Sequence, residues 1–118
     1  MAGVEAKNLD TPDEVRKPDK TVIDVVQVGK TEVGRFTFQP GWRWSECIKP
    51  IVGTDSCQAE HLGFVVSGKI RVEHEDGTAL DLGPGDAYWI APGHDAWVLG
   101  DEPFVGMEFK SAAEYAEA

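Results

Sequence analysis

The sequence has few of the features that mark membrane, secreted or nucleic-acid-binding proteins. Only two of its 118 residues are cysteine, too few for the disulfide scaffold of a small secreted domain. It has no apolar run of the about 18 residues that a transmembrane helix needs, and its N-terminus lacks the apolar segment of a signal peptide. Eleven basic residues stand against 21 acidic ones, and the net charge of −10 repels phosphate backbones and anionic lipid headgroups. We therefore expect a soluble, cytoplasmic protein with no nucleic-acid or membrane partner.

Helical patterns are nearly absent, and short runs of β-branched and aromatic residues take their place from residue 21 onward. Runs such as "TVIDVVQV", "VGRFTF" and "HLGFVV" predict seven to nine strands, separated by Gly, Pro and Asp-Gly turns about every ten residues, as in an antiparallel sandwich or barrel. The chain has the length of a single domain. We assign residues 1–20 to a flexible or exchanged N-terminal arm, 21–110 to the barrel and 111–118 to a C-terminal tail or short helix.

One hairpin can be placed in register from its pattern, "KIRVEHEDGTALDL". A two-residue loop would pair Val72 with Asp81, whereas a three-residue loop ending in a left-handed Gly77 pairs Val72 with Leu80. We favour the second register, because it keeps the apolar residues on one face. It places His74 beside the turn, where a histidine is usually solvated, so His74 is not a site candidate.

Two segments resemble the conserved motifs of the cupins. "LGPGDAYWIAPGHDAW" resembles the second cupin motif, and "HLGFVVSGKIRV" resembles the end of the first. "PGWRWSECIKPIVGTDSC" extends the likeness to a group of short, single-domain bacterial cupins. The resemblance implies an all-β fold, a small double-stranded β-barrel (cupin or jelly-roll) in a single domain, usually dimeric. Cupins include oxygenases, isomerases, lyases and storage or sensor proteins, so the fold does not define the reaction.

The resemblance also implies where metal ligands would lie. A metal-binding cupin typically supplies His-x-His, then a Glu, then a His from the second motif. Counting back from the glycine that ends the first motif puts His61 at the Glu position, and Cys57 and Asp55 at the positions of the two histidines. The last histidine position falls on Ala96, so the usual fourth ligand is missing, although His94 would point the same way along an extended strand.

A second count gives a different first ligand. Counting forward from "PGW" places Cys47 at the position of the first histidine, and both counts hold only if "KPIVGTD" is an insertion. Both cysteines are also explained as small buried apolar residues, and Asp55 as a turn residue. His61 is harder to explain in this way, because a buried imidazole in an apolar strand needs a partner for each ring nitrogen.

These candidates define two readings of the chemistry. Imidazole, thiolate and carboxylate ligands favour a divalent metal, most readily Zn²⁺, with Ni, Cu or Fe still open. The alternative is a metal-free barrel in which His61 or His94 transfers protons as an acid or base. Three tryptophans, Trp44, Trp89 and Trp97, are candidates for substrate binding at the barrel mouth.

We therefore expect a cupin-fold protein that acts on or binds a small organic molecule and forms a homodimer. If it is metal-dependent, hydrolase, lyase or isomerase chemistry fits its ligands best. If it is metal-free, it is a ligand-binding, regulatory or acid/base catalytic cupin. A protein whose only role is to bind another protein is a third alternative, and the acidic surface is compatible with it.

Overall fold

Two antiparallel β-sheets face each other across an apolar core in the computed structural model, which describes residues 3–109. Within these residues the strands are β1 (Glu14–Arg16), β2 (Thr21–Val28), β3 (Thr31–Phe38), β4 (His61–Ser67), β5 (Lys69–His74), β6 (Ala79–Leu82), β7 (Ala87–Ile90), β8 (His94–Leu99) and β9 (Phe104–Phe109). Two one-turn helices, α1 (Trp44–Cys47) and α2 (Lys49–Val52), lie between β3 and β4. The larger sheet has the strand order β1-β2-β3-β9-β4-β7, and the smaller one β6-β5-β8.

This architecture confirms the expected all-β fold, a small barrel of cupin type. The tail or short helix expected at 111–118 lies outside the described residues. No helix within residues 3–109 has the length and apolar content needed to cross a bilayer.

The apolar core is formed by side chains that point inward at alternate positions along the strands of both sheets. Ile23 on β2 pairs with Phe36 on β3, and both are almost fully buried. The opposite sheet supplies Val72 and Val98 from neighbouring strands. Because inward residues alternate with outward ones along each strand, the two sheets bury one apolar layer between them.

The hairpin between β5 and β6 has the predicted register. Val72 pairs with Leu80, and Ile70 pairs with Leu82. Gly77 has the left-handed φ of 94° that the three-residue loop requires. Beside this turn, the backbone N–H of His74 donates to the carbonyl of Thr78.

Part of the expected N-terminal arm is held by its own chain. Strand β1 pairs with β2, so that Glu14 lies opposite Val25. Arg35 on β3 forms ion pairs with Asp10 and Asp24, at 2.9 and 3.1 Å. The composition of this segment predicted too little apolar burial to order the segment. That prediction took no account of the backbone hydrogen bonds that the edge of β2 offers to β1. Exchange of the arm with a partner subunit stays a prediction.

Candidate metal centre

Three side chains that can bind a metal converge between the two sheets. Cys57 lies in the loop before β4, His61 is the first residue of β4, and His94 is the first residue of β8. One ligand atom from each lies within 4.8 Å of the others, and all three residues are at least 96 % buried. The cluster therefore joins the larger sheet, the smaller sheet and a connecting loop at one point in the core.

Backbone hydrogen bonds hold Cys57 beside His94. The N–H of Cys57 donates to the carbonyl of His94 at 2.7 Å, and the carbonyl of Cys57 accepts from the N–H of Gly93 at 2.7 Å. Gly93 has a φ of 100°, in the left-handed region that favours glycine. The Pro-Gly turn before β8 thus shapes the backbone that places the thiol next to the imidazole.

A carboxylate fixes the orientation of His61. Nδ1 of His61 lies 2.6 Å from Oε1 of Glu108 on β9, and the hydroxyl of Tyr88 on β7 donates to Oε2 of Glu108 at 2.8 Å. Because a carboxylate accepts hydrogen bonds, Nδ1 carries the hydrogen and Nε2 faces the Sγ of Cys57, at 3.7 Å. A carboxylate behind an imidazole is the usual support of a metal-binding histidine.

The second imidazole is oriented by the backbone. Nδ1 of His94 lies 2.8 Å from the carbonyl oxygen of Ala91, which can only accept a hydrogen bond. In the neutral imidazole, Nδ1 therefore carries the hydrogen, and Nε2 of His94 has the lone pair that a metal requires. The two histidine rings meet edge to face, with centroids 5.1 Å apart.

Gly63 makes room for the supporting carboxylate. It pairs with Glu108 on one side and with Tyr88 on the other. A Cβ at residue 63 would lie 2.9 Å from Cγ of Glu108 and would overlap the carbonyl group of Met107. The space that Gly63 leaves beside His61 is therefore filled by the group that orients its ring.

The charges of the cluster support a thiolate at neutral pH. Burial raises the pKa of Cys57, but hydrogen bonds from His61 and His94 and their positive charges outweigh burial and lower it from 9.0 to about 6. Burial lowers the pKa of His61, yet the negative charge of Glu108 and the hydrogen bond to Cys57 raise it to about 10. Burial and the charge of Glu108 raise the pKa of Tyr88, so Tyr88 remains a donor.

The donor atoms fit a tetrahedral metal. Zn²⁺ binds thiolate sulfur at about 2.3 Å and imidazole nitrogen at about 2.0 to 2.1 Å, so two such ligands lie about 3.6 Å apart at a tetrahedral angle. The observed distance between Cys57 Sγ and His61 Nε2 is 3.7 Å. All pairs of ligand atoms lie within 4.8 Å, so each pair is within about 1.5 Å of the spacing that a tetrahedral metal requires.

A small cavity adjoins the cluster. Its volume is about 30 Å³. Both cluster histidines line it, together with Phe36, Phe38, Trp42, Trp44, Ile70, Tyr88, Ala96, Phe104 and Glu108. Among buried side-chain nitrogen and oxygen atoms within residues 3–109, only Nε1 of Trp42 has no hydrogen-bond partner. An unpaired buried donor of this kind costs about 1 to 3 kcal/mol.

Two of the residues that the sequence proposed as ligands lie outside the cluster. Cys47 ends helix α1, and its Sγ lies 3.8 Å from Oδ2 of Asp19. Burial and this carboxylate raise its pKa, which disfavours the thiolate that a metal requires. Asp55 is exposed in the loop after α2. Counting along the sequence did not anticipate the two helical turns, and Cys47 at the end of the first turn lies against Asp19.

The three tryptophans proposed for substrate binding lie in different places. Trp44 lines the small cavity. Trp89 projects outward from β7, is 63 % exposed, and borders a separate groove of about 330 Å³ between β6 and β7. Trp97 packs beneath the guanidinium of Arg43, whose Cζ lies 4.2 Å from the ring centroid. The structure therefore brings only Trp44 to the cavity beside the cluster.

Sequence reasoning missed the two residues behind His61. Glu108 lies in "FVGMEF", where Phe104, Gly106 and Glu108 alternate on the inward face of β9. An acidic residue at an inward position of an apolar strand is an unusual feature that could have been noticed. Tyr88 had no comparable signal, because tyrosine is common in strands of either kind.

Comparison with known proteins gives similarity in structure only. The sequence matches no protein-family profile, and it matches no curated protein sequence. A Rhizobium leguminosarum protein of unknown function is 16% identical, with 92% of this chain and 96% of that chain covered and a TM-score of 0.65. A cupin-like protein from Thermotoga maritima is 19% identical over 80% of this chain and 70% of its own, with a TM-score of 0.53.

Oxalate decarboxylase from Lactobacillus farciminis, crystallised with formate, is 15% identical and has a TM-score of 0.61. The alignment covers 86% of this chain but 32% of that enzyme, so the chain spans about a third of its length. At these identities the likeness establishes the fold alone. Together with the two facing sheets, it confirms that this chain has the cupin fold.

Proposed function

We propose that the protein is a metal-dependent cupin whose metal is bound by Cys57, His61 and His94. The observation that carries the proposal is the convergence of one thiol and two imidazoles to within 4.8 Å in the core. One sulfur and two nitrogen ligands favour Zn²⁺ over Fe(II), because Fe(II) oxygenases bind their metal with two histidines and one carboxylate. Three protein ligands leave one tetrahedral position open, as in catalytic rather than structural zinc sites.

The ligands' surroundings support chemistry at that open position. A bound divalent metal would polarise a carbonyl group or lower the pKa of a water molecule. Glu108 would keep His61 in the tautomer that binds metal, and Tyr88 would hold Glu108 in place. The proposed reaction type is therefore hydrolysis, elimination or isomerisation of a small organic molecule. The fold shared with oxalate decarboxylase, an enzyme named for a small substrate, supports this size class and not a particular reaction.

A metal-free function is the second candidate, because Cys57, His61 and Glu108 also form a hydrogen-bonded chain. Glu108 would orient His61, and His61 would stabilise the thiolate, which is the arrangement of an activated cysteine or of an acid/base pair. We favour the metal, because the hydrogen-bonded chain needs no third donor, yet His94 also converges on it.

We also propose that the protein forms a homodimer through the outer face of its larger sheet. The outward residues of the adjacent strands β9, β4 and β7 are Val105, Met107, Phe109, Leu62, Phe64, Val66, Ala87 and Trp89. This outer apolar face carries no charged side chain in a chain of net charge −10. A second copy can therefore meet it without like charges opposing each other, which supports a two-fold symmetric contact. A cytoplasmic location and the absence of nucleic-acid partners remain predictions from composition.

Metal content by mass spectrometry tests the proposed function. The protein is purified without a tag or chelator, beside Cys57→Ser, His61→Ala and His94→Ala. Cys47→Ser is the matched cysteine control, and His74→Ala is the histidine control. We expect nearly one equivalent of metal in the wild type and in both controls, and little or no metal in the cluster variants. A metal-free wild-type protein, after incubation with Zn²⁺, would contradict the proposal and favour the metal-free candidate.

A further inference from the structure

A groove of about 330 Å³ lies between strands β6 and β7. These strands follow one another in the chain and are joined by residues 83–86, but they belong to different sheets. Strand β6 is an edge of the smaller sheet, and β7 is an edge of the larger one. The groove is the space between these two edges. Its volume is within the range of about 300 to 1,000 Å³ that is usual for pockets that bind small organic molecules.

Apolar side chains form most of the groove wall. They come from the smaller sheet and from β7, and include Val72, Leu80, Leu82, Ala87, Trp89 and Ile90. Leu80 is 60 % exposed and Trp89 is 63 % exposed. An aromatic ring or a branched aliphatic group placed in the groove would therefore remove apolar surface on both of these side chains from water.

The groove is separate from the cavity beside the metal cluster. Among residues 3–109, Tyr88 alone lines both spaces, and its hydroxyl already donates to Glu108. The three cluster residues Cys57, His61 and His94 do not line the groove. A molecule in the groove would therefore contact Tyr88 without binding the metal.

Hydrogen bonds close both ends of the groove and limit the length of its occupant. At one end, the N–H of Asp86 donates to the carbonyl of Gly83 at 3.0 Å. At the other end, Nε2 of His74 lies 2.8 Å from the carbonyl oxygen of Pro92. Strands β6 and β7 each have four residues, or about 13 Å of extended chain. The groove therefore fits a small molecule better than a long peptide.

The polar end of the groove favours a positive charge. The carboxylate of Asp76 lines it, and a hydrogen bond from the backbone N–H of Thr78 at 2.8 Å lowers the pKa of this carboxyl. His74 is neutral in this arrangement, because its Nδ1 accepts from the backbone N–H of Asp76. No Lys or Arg in the described part of the chain lines the groove. Since the net charge is −10, an anion or a second copy of the chain would be repelled.

We infer that the groove between β6 and β7 binds a small organic cation, an amine with an aromatic or branched aliphatic body. The body would pack against Leu80 and Trp89, and the ammonium group would lie at the end that Asp76 occupies. This inference goes beyond the proposed metal site and does not rest on it, because the groove contains none of the three metal-binding residues.

Three probes of similar shape separate the contribution of charge from that of apolar contact. 2-Phenylethylamine is a cation at neutral pH, 2-phenylethanol is neutral and phenylacetate is an anion. Binding is followed by the NMR signal of the Trp89 indole N–H in ¹⁵N-labelled protein, assigned with Trp89→Phe. We expect the amine to bind with a dissociation constant of about 1 mM, the alcohol more weakly, and phenylacetate not at all. Equal binding of the amine and phenylacetate would overturn the inference.

Two substitutions test the groove residues directly. Leu80→Ser should weaken the binding of both the amine and the alcohol about fivefold, because it removes part of the apolar wall. Asp76→Asn should weaken the amine about threefold and leave the alcohol unchanged. Leu62→Ser is the matched control, since Leu62 is 52 % exposed on the outer apolar face and does not line the groove. An equal loss in Leu62→Ser and Leu80→Ser would overturn the inference.

The other possible occupants give different results. The amine should shift the Trp89 signal equally in metal-free protein and in protein loaded with Zn²⁺. A shift that requires Zn²⁺ would show that the amine binds at the metal, and would overturn the inference. If a second copy fills the groove, Leu80→Ser will weaken the dimer and the amine will bind only the monomer, which would also overturn it. None of these outcomes changes the test of metal content, so the two proposals can fail separately.

Discussion

The two faces of strand β4 reverse the usual pattern of a sheet that covers an apolar core. Its inward face begins with a histidine, His61, followed by Gly63, whereas its outward face carries Leu62, Phe64 and Val66. Leu62, Phe64 and Val66 are 52 %, 41 % and 49 % exposed. A strand with one solvated face normally places polar residues outside and apolar ones inside. Each departure from that pattern therefore needs its own physical explanation.

The inward departure is explained by chemistry. A buried imidazole is tolerated because both of its nitrogens have partners, the carboxylate of Glu108 and the sulfur of Cys57. The outward departure is explained by assembly, if a second copy covers the outer apolar face. Strand β4 would then contribute to the metal cluster with its inward face and to the dimer contact with its outward face. Substitutions on one face can therefore disturb one of these roles without the other.

Gly63→Ala should have the largest effect, because it acts on the inward face through the backbone. The new Cβ would overlap the carbonyl of Met107 and crowd Cγ of Glu108. We expect a loss of about 3 kcal/mol in the free energy of unfolding, measured by denaturant titration. Gly83→Ala is the matched control, since a Cβ there would make only an ordinary contact with Lys69, at 3.8 Å. Equal stability of the two variants would show that the close approach at Gly63 is unimportant.

Phe64→Glu tests the outward face. It would place a charge in the middle of an uncharged apolar contact, and in a two-fold dimer that charge would occur twice. We expect the dimer dissociation constant to rise about 100-fold, or about 2.7 kcal/mol. Sedimentation equilibrium is the measurement. Leu80→Glu, an equal change at an exposed residue of the smaller sheet, should leave the dimer intact. A monomeric wild-type protein would contradict the proposed assembly.

Glu108→Gln tests the support of the metal ligand on the inward face. A neutral amide cannot hold His61 in the metal-binding tautomer as strongly as a carboxylate can. We expect metal affinity, measured by competition with a chelator, to fall about tenfold. Glu73→Gln, at an exposed residue that pairs with Arg71, is the control. An unchanged affinity in Glu108→Gln would mean that the contact with Glu108 does not tune the ligand.

The smallest effect is the titration of a single proton in the metal-free protein. Because the pKa of Cys57 is lowered to about 6, its thiol is ionised above that pH, and the ultraviolet absorption of the thiolate should disappear as the pH falls through about 6. Cys47→Ser should keep this step, because the pKa of Cys47 is raised and its thiol stays protonated there. Cys57→Ser should lose it. A midpoint near 9 would contradict the influence of the two histidines.

The sequence predicted those parts of the molecule that depend on local pattern. The register of Val72 with Leu80 follows from strand alternation and a single left-handed glycine, and the structure confirms it. His61 and Cys57 were both candidates because they fall at ligand positions of the first cupin motif when counted back from the glycine that ends it. His94 was a candidate because it lies two residues before the expected position on an extended strand.

The rest of the site depends on contacts between distant strands, which local pattern does not specify. Glu108 reaches His61 only because β9 lies beside β4 in the larger sheet. Cys47 and Cys57 are both buried cysteines with nearly equal exposure. Only their neighbours distinguish them, since Cys47 contacts Asp19 and Cys57 contacts His61. The unpaired indole N–H of Trp42 could not be predicted at all, because an unpaired donor is apparent only when every surrounding contact is known.

The central claim is that one sulfur and two imidazole nitrogens bind a metal in the core. X-ray absorption spectroscopy of the protein loaded with Zn²⁺ tests it most directly, because it measures the ligands of the bound ion. We expect one sulfur at about 2.3 Å and nitrogen or oxygen ligands at about 2.0 to 2.1 Å, with the sulfur signal absent in Cys57→Ser and retained in Cys47→Ser. A spectrum without sulfur in the wild-type protein, or a sulfur signal that survives in Cys57→Ser, would contradict the account.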